Sequence, residues 1–271
     1  MNQNIYLCSE LEPILFGSCI ASKLGLENSE LVNVSFPRFS NHFSISKSQS
    51  NANFRVPFYH SQICPFKELE KIMESPVNFS KKVPVLSSII IRSLDQKVLI
   101  TRKSEFMSIH GKSWVFPYGK VKAKESLQKA ALKALRDDTG INILEISEGF
   151  LFNNVKVTIQ PVCVFESVFP KNIEFGMPRN QGIVVFFQAN LPVLAKEIQA
   201  KCFDTDFLMW VHKEEWENAQ NGVFSKVQVE GRESEVFSSA IQGISPNFMG
   251  EGVSEGHFIA LNLVFSIDMN I

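Results

Sequence analysis

The chain has few cysteines, and none of them forms a pair at metal-ligand spacing. Its 271 residues include five cysteines, an odd number, without any C-x-x-C pair. This usage is typical of reduced thiols in an intracellular compartment and does not indicate a disulfide framework. His60 and Cys64 are close in sequence, but zinc needs three or four ligands. We therefore interpret this pair as structural.

The chain also lacks an excess of charge of either sign and long apolar runs. Lys and Arg number 27 against 28 Asp and Glu, so any binding to nucleic acid must depend on a local patch. No apolar run reaches the roughly 18 residues of a membrane span. The start lacks the basic and then apolar layout of a signal peptide. We expect an intracellular, cytoplasmic protein without a membrane partner.

Hydrophobic residues make up 45% of the chain, enough for a sizeable core. Proline positions and the pattern of strands and helices divide the sequence into an N-terminal α+β region (1–80), a central domain (84–218) and a C-terminal extension packed on that domain (219–271). In the N-terminal region we predict strands over 4–8 and 31–36 and a helix over 12–24. Residues 40–53 are rich in Ser and Asn and predict a loop.

The central domain has the strongest strand signals. Apolar runs predict buried strands over 85–91 and 182–189, each bounded by turn residues or proline. Helices are predicted over 126–139 and 213–219. Strands that alternate with helices in this order predict an α/β fold, with helices packed on the faces of a mixed sheet.

The helix over 126–139 has one apolar face that ends in a carboxylate. Leu127, Ala131, Leu135 and Asp138 recur at helical spacing, and Gly140 follows as the usual C-terminal cap. The face should therefore pack on the sheet and direct Asp138 inward.

Adjacent acids and neighbouring lysines suggest a phosphate site with a divalent cation. Asp137 and Asp138 would supply the hard oxygen ligands that such a cation prefers, although two acids at a helix end are also consistent with a plain solvated terminus. Lys120, Lys122 and Lys124 would attract phosphates, or they form a solvated basic face. Both pairs of alternatives stay open at this point.

The same residues form a recognisable motif. Gly119, Glu125, Lys133-Ala134, Asp137-Asp138 and Gly140 have the spacing of G-x5-E-x7-R-E-U-x-E-E-x-G-U, in which U is aliphatic. This segment resembles the Nudix box. The surroundings add to the resemblance, which spans most of the chain and is nearest to the motif 17 type of the family. They include Val98–Lys103, Trp114–Gly119, Phe165–Pro170, Ile183–Phe187, Asp204–Trp210 and Gly252–Gly256.

The resemblance implies a Nudix α/β/α sandwich and a Mg²⁺- or Mn²⁺-dependent hydrolase. The implied substrate is a nucleoside diphosphate-linked small molecule or, for the motif 17 type, the methylguanosine cap of RNA. The implied catalytic residues are Glu125, Asp137, Asp138 and Asp204, of which the three aspartates would bind the metal. The residues assigned to substrate binding are Gly119, Lys120, Lys122, Lys133 and Glu166.

Several positions depart from the family pattern, since Asp137 and Asp138 replace the two glutamates of the box pair. Ala134 replaces a box glutamate and cannot bind a metal, and Lys133 keeps the charge of the box arginine without its bidentate fork. Tyr118 replaces the first glycine of the loop. The alternative function is therefore an impaired enzyme that acts as a nucleotide- or RNA-binding module.

Overall fold

The computed structural model describes most of the central region and parts of both ends. The described residues are 6–9, 12–36, 42–47, 52–72, 81–103, 113–201, 205–220, 227–229, 232–234 and 252–266. None of the helices in these ranges is long and apolar enough to cross a membrane.

Short strands dominate the described secondary structure. The first part of the chain forms β1 Tyr6–Ser9, β2 Glu12–Pro13, α1 Ile20–Lys23, β3 Leu31–Ser35, β4 His42–Ser46, β5 Phe54–His60 and α2 Pro65–Ile72. The central part forms β6 Val85–Arg92, β7 Val98–Lys103, β8 Trp114–Val115, β9 Tyr118–Lys120, α3 Leu127–Thr139, β10 Leu144–Ile146, β11 Gly149–Phe152, β12 Val155–Val157, β13 Ile159–Phe169 and β14 Asn180–Asn190. The last part forms β15 Thr205–Val211, α4 Lys213–Gln220, β16 Val227–Val229, β17 Arg232–Ser234 and α5 Glu255–Ser266.

The chain divides into two compact units that interleave along the sequence. The first contains Met1–Ser87, Lys120–Ala130 and Pro161–Phe186, and the second contains Ser88–Gly119, Ala131–Gln160 and Phe187–Ile271. Strands β6, β9, β13 and β14 and helix α3 contribute residues to both units. The limits predicted from the sequence (1–80, 84–218 and 219–271) stay a prediction.

A mixed sheet forms the first unit, with strand order β14-β13-β5-β3-β4-β1-β2. Strand β13 runs parallel to β5 and β1 runs parallel to β4, whereas β3 is antiparallel to both of its neighbours. Alternation on β3 shows how the sheet buries one face, since Val32 and Val34 are fully buried and Leu31 is exposed. The predicted α/β fold with a mixed sheet is confirmed.

The second unit contains antiparallel strands in the order β17-β16-β15-β7, with β8 paired to β7. Strand β6 meets β7 where Arg92 lies opposite Val98. Leu99 and Met209 are fully buried on this sheet. Strands β10, β11 and β12 form a separate antiparallel sheet.

Two predictions in the N-terminal region are wrong. Only Ile20–Lys23 of the predicted helix over 12–24 is α-helical, because the preceding residues are extended and pair with distant backbone. Phe16 N donates to the Lys81 carbonyl at 2.7 Å, and Val83 N donates to the Ile14 carbonyl at 3.2 Å. The polar stretch over 40–53 contains strand β4 instead of being only a loop.

Candidate functional site

Helix α3 lies within one residue of the predicted limits and has the predicted buried face. Leu127, Ala131 and Leu135 are buried, and Asp138 lies on the same face with only 5% of the residue exposed. Gly140 ends the helix with a φ of 71° and donates its N–H to the Arg136 carbonyl at 2.8 Å. A positive φ favours glycine, which explains the sharp stop after the acids.

The carboxylate of Asp138 lies against a buried lysine of strand β7. Lys103 Nζ is 2.6 Å from Asp138 Oδ2, and each side chain is only 7% exposed. Leu99, Thr101 and Lys103 lie on one face of strand β7, and all three are buried. This face directs the ammonium inward, and the buried positive charge neutralises the buried carboxylate.

Thr205 and Tyr118 lie next to this ion pair. Thr205 lies opposite Lys103 in the sheet, and its hydroxyl donates to the Asp138 carbonyl at 3.3 Å. Lys103 Nζ is 5.3 Å from the centroid of the Tyr118 ring, close enough for a cation–π contact. Burial, and then the negative charge of Asp138, raise the pKa of Tyr118 to about 12, so its phenol stays un-ionised at neutral pH.

Asp137 has a different environment, since its side chain is about one third exposed. It pairs with Lys133 one helical turn earlier, and Arg136 Nε lies 3.7 Å from its Oδ1 atom. Exposed pairs of this kind contribute little to stability because water and salt screen them.

Glu125 closes the loop before helix α3. Its Oε2 atom accepts a hydrogen bond from Lys122 N at 3.1 Å, and its own N–H donates to the Lys122 carbonyl at 3.1 Å. The side chains of Lys120 and Lys122 are exposed, whereas Gly119 is half-buried in strand β9. Glu125 thus fixes the loop backbone and leaves two ammonium groups accessible to solvent.

Glu166 lies on strand β13 in the first unit, with 1% of the residue exposed. Its Oε1 atom accepts from Ile20 N at 3.0 Å and from Gln181 Nε2 at 2.8 Å, and Oε2 accepts from Ala21 N at 3.2 Å. These bonds tie β13 to the start of helix α1. The assignment of Glu166 to substrate binding stays a prediction.

Two thiols lie beside this carboxylate. Cys19 Sγ is 4.0 Å from Glu166 Oε2 and accepts a hydrogen bond from Ser22 N at 3.5 Å. A hydrogen bond from Cys64 lowers the pKa of Cys19, and the same contact raises the pKa of Cys64. The interpretation of the His60–Cys64 pair as structural stays a prediction.

The C-terminal helix α5 completes the surroundings of the β8–β9 loop. Phe116 N donates to His257 Nδ1 at 2.9 Å, and the rings of Tyr118 and His257 lie 5.7 Å apart between centroids. Trp114 N donates to the Gly252 carbonyl at 3.0 Å. Neither α5 nor these contacts are predicted from the sequence.

Comparison with known proteins identifies the family of the domain that contains helix α3 and its preceding loop. The NUDIX domain matches residues 83–222, more than half of the chain. The chain belongs to the NUDIX domain family.

Curated relatives narrow the similarity within the family. The chain is 27% identical over 188 residues to a Xenopus laevis protein named m7GpppN-mRNA hydrolase NUDT17, a match covering 67% of this chain and 60% of the relative. It is 25% identical over 173 residues to the Homo sapiens protein of that name, covering 61% of this chain and 50% of the relative. The chain thus matches only half to three fifths of these relatives.

Among solved structures, the chain is similar to a MutT NUDIX hydrolase from Burkholderia pseudomallei, with 12% identity and a TM-score of 0.41. That match covers 68% of this chain and 99% of the other. The NUDIX domain of Shewanella oneidensis NrtR, complexed with ADP ribose, has 14% identity and a TM-score of 0.36, covering 55% of this chain and 84% of the other.

Nudix hydrolases generally use divalent metal ions. A divalent cation takes several oxygen ligands. In the described ranges, no group of three or more His, Cys, Asp or Glu side chains is arranged to hold a metal. Ala134 offers no ligand, and Asp137 and Asp138 each face a lysine. The described residues therefore do not fit a preformed multi-carboxylate metal site, and Asp204 lies outside them.

Proposed function

We propose that this chain hydrolyses a diphosphate bond in a nucleoside diphosphate-linked substrate. Family membership supports a hydrolase. The relatives from Xenopus laevis and Homo sapiens are named m7GpppN-mRNA hydrolases, which favours methylguanosine-capped RNA as the substrate class. Small molecules that carry a nucleoside diphosphate share the same chemistry and form the other substrate class.

The observation that carries this proposal is the loop held by Glu125 at the start of helix α3. Because Glu125 fixes the Lys122 backbone, the exposed ammonium groups of Lys120 and Lys122 are attached to an ordered loop. Fixed positive charges attract phosphates at a lower ordering cost than mobile ones. The residues proposed to bind substrate are Gly119, Lys120, Lys122, Lys133 and Glu166. Those proposed for catalysis are Glu125, Asp137, Asp138 and Asp204.

Mg²⁺ or Mn²⁺ is the proposed cofactor, with Asp137, Asp138 and Asp204 as the candidate ligands. Since the described carboxylates do not form a preformed site, this part of the proposal depends on Asp204 and on oxygen ligands from the substrate's own phosphates. Mg²⁺ is commonly bound through one or two carboxylates together with substrate phosphates.

A binding module without turnover is the second candidate function. It is favoured by Ala134 at a box glutamate position and by the lysines that face Asp137 and Asp138. Losing an ion that stabilises the transferring phosphoryl charge by several kcal/mol would slow hydrolysis by roughly 10²-fold or more. Nucleotide binding through the lysines would survive that loss.

One experiment separates the two candidates. The full chain is incubated with capped RNA and with nucleotide sugars, with Mg²⁺ or Mn²⁺ present, and products are identified by mass spectrometry. Binding of the same substrates is measured in parallel at several salt concentrations. We expect hydrolysis of at least one substrate. Tight binding without product would support the binding module, and the absence of both would refute both functions.

Matched variants test the role of the loop. The double variant Lys120→Ala/Lys122→Ala should weaken binding of the substrate. The slope of the logarithm of the binding constant against the logarithm of the salt concentration should fall by about one for each phosphate that a lysine no longer neutralises. Lys156→Ala is the control because Lys156 is also an exposed lysine, on strand β12. Equal effects of the loop and control variants would show that the loop lysines only form a solvated surface.

A further inference from the structure

The Lys103–Asp138 pair occupies the position at which the family's chemistry would need a metal ligand. Asp138 aligns with the second glutamate of the box pair, and its Oδ2 atom is 2.6 Å from an ammonium nitrogen. Both side chains are almost fully buried, so water screens their attraction much less than at the surface. The carboxylate therefore already has a counter-charge that belongs to the chain itself.

The neighbouring residues hold this ammonium in place. Lys103 is the last residue of strand β7, with Thr205 opposite it on β15. The Thr205 hydroxyl binds the Asp138 backbone, and the Tyr118 ring lies beside Lys103 Nζ. Strand β7, strand β15 and the β9 segment thus contact the pair, which makes the position of the ammonium a property of the fold.

A free divalent ion would compete poorly for this carboxylate. It would have to displace the ammonium, and Lys103 would then be left buried and unpaired beside a doubly charged ion, which is strongly unfavourable. It would also find no ligand at Ala134, one helical turn earlier. Asp137 points to solvent and pairs with Lys133.

We propose that Lys103 is the resident cation of Asp138 and that it closes this carboxylate to free divalent metal ions. This inference limits the proposed function at one point: because Asp138 is closed to the free ion, the metal would reach Asp138 only together with the substrate's phosphates. Lys103 is a positioning residue in this account: it fixes Asp138 and balances its charge.

The test is the binding of Mn²⁺ alone, without substrate, measured by electron paramagnetic resonance. The wild type should show no Mn²⁺ site that depends on Asp138, so Asp138→Asn should leave its Mn²⁺ binding unchanged. Lys103→Met removes the charge while keeping a side chain of similar length. We expect Lys103→Met to bind Mn²⁺ at least about 10-fold more tightly than the wild type, and Mn²⁺ should raise its melting temperature.

Control variants make this result specific. Lys133→Met removes the exposed partner of Asp137 and should not create an Mn²⁺ site. In the double variant Lys103→Met/Asp138→Asn, the gained Mn²⁺ site should disappear. Adding Ala134→Glu to Lys103→Met should tighten Mn²⁺ binding further, since a carboxylate one turn before Asp138 adds a ligand on the same face.

Two results would overturn the proposal. The first is a wild type that binds one Mn²⁺ ion tightly through Asp138, as shown by loss of the site in Asp138→Asn. The second is a folded Lys103→Met protein that gains no Mn²⁺ affinity. If Lys103→Met fails to fold even with Mn²⁺, the comparison between wild type and Asp138→Asn still decides the question.

Discussion

At the scale of single residues, Glu166 is under two opposing influences. Burial raises its pKa to about 7, and the nearby charge of Cys19 acts in the same direction. Hydrogen bonds from Ile20, Gln181 and Ala21 favour the ionised form and act against the increase. Burial dominates because a charge that is removed from water loses more solvation than these donors return.

This balance predicts a pH-dependent stability. The folded pKa lies above the ordinary value of 4.5, so the stability from protonated Glu166 is complete below pH 4.5 and is lost as the pH rises through 7. The difference in unfolding free energy between wild type and Glu166→Gln should therefore fall by roughly 3 kcal/mol across this window. Urea titrations at a series of pH values measure it. A difference that stays constant, or that grows with pH, would contradict the assignment.

The Lys103–Asp138 ion pair shows which side-chain positions can be predicted from a sequence. The inward direction of Asp138 follows from helical spacing with Leu127, Ala131 and Leu135, all local in sequence. Its partner Lys103 is 35 residues away, and no local pattern brings the two together. The signal that could have identified Lys103 is the two-residue spacing of Leu99, Thr101 and Lys103, which places the lysine on the same strand face as two buried residues.

At the scale of elements, prediction succeeds where local pattern and tertiary pairing agree. Apolar runs predicted β6 and β14 to within a few residues, because strands buried on both faces need little else. The predicted helix over 12–24 failed because residues 14–16 form backbone hydrogen bonds with residues 81–83. Such distant backbone pairing overrides local helix propensity.

Helix α5 has a testable role in holding the β8–β9 loop. His257→Leu keeps most of the buried volume but removes the acceptor for the Phe116 N–H. An unsatisfied buried donor costs about 1–3 kcal/mol, so thermal or urea unfolding should show a loss of that size.

His212→Leu is the control for this substitution, since His212 is a half-buried histidine of the same unit, just before helix α4. It should change the unfolding free energy much less than His257→Leu. Equal losses would mean that the imidazole acceptor contributes nothing specific to the loop.

At the scale of the whole molecule, the chemical reactivity of the buried thiols shows whether the protein is folded. Cys19, Cys64 and Cys163 are free and buried. Burial raises the pKa of Cys163, whereas that of Cys19 is lowered, yet reaction with a reagent requires access as well as ionisation.

We therefore expect maleimide to leave all three cysteines unmodified in the native protein and to label them after denaturation. Mass spectrometry of tryptic peptides distinguishes them from Cys8 and Cys202. Rapid native labelling of Cys19 would show that the segment around helix α1 opens readily, because its thiol is completely buried in the folded state.

The site as a whole is less predictable than its helix. The motif located the loop, Glu125 and the adjacent aspartates. It gave no indication of the buried lysine or of the contacts from helix α5, because both come from segments distant in sequence. The division into two interleaved units was not predictable for the same reason, since each unit consists of three segments that are distant in sequence.

The bond between Phe116 and His257 joins residues separated by 141 positions. A ribosome makes the chain from the N-terminus onward, so the Phe116 amide exists well before its imidazole acceptor has been synthesised. During that interval the amide cannot have its native partner, and the adjacent Trp114 backbone also lacks the Gly252 carbonyl. The second unit therefore reaches its final hydrogen bonding only late in translation or after it, and nascent chains that stall earlier should be substrates for chaperones and proteases.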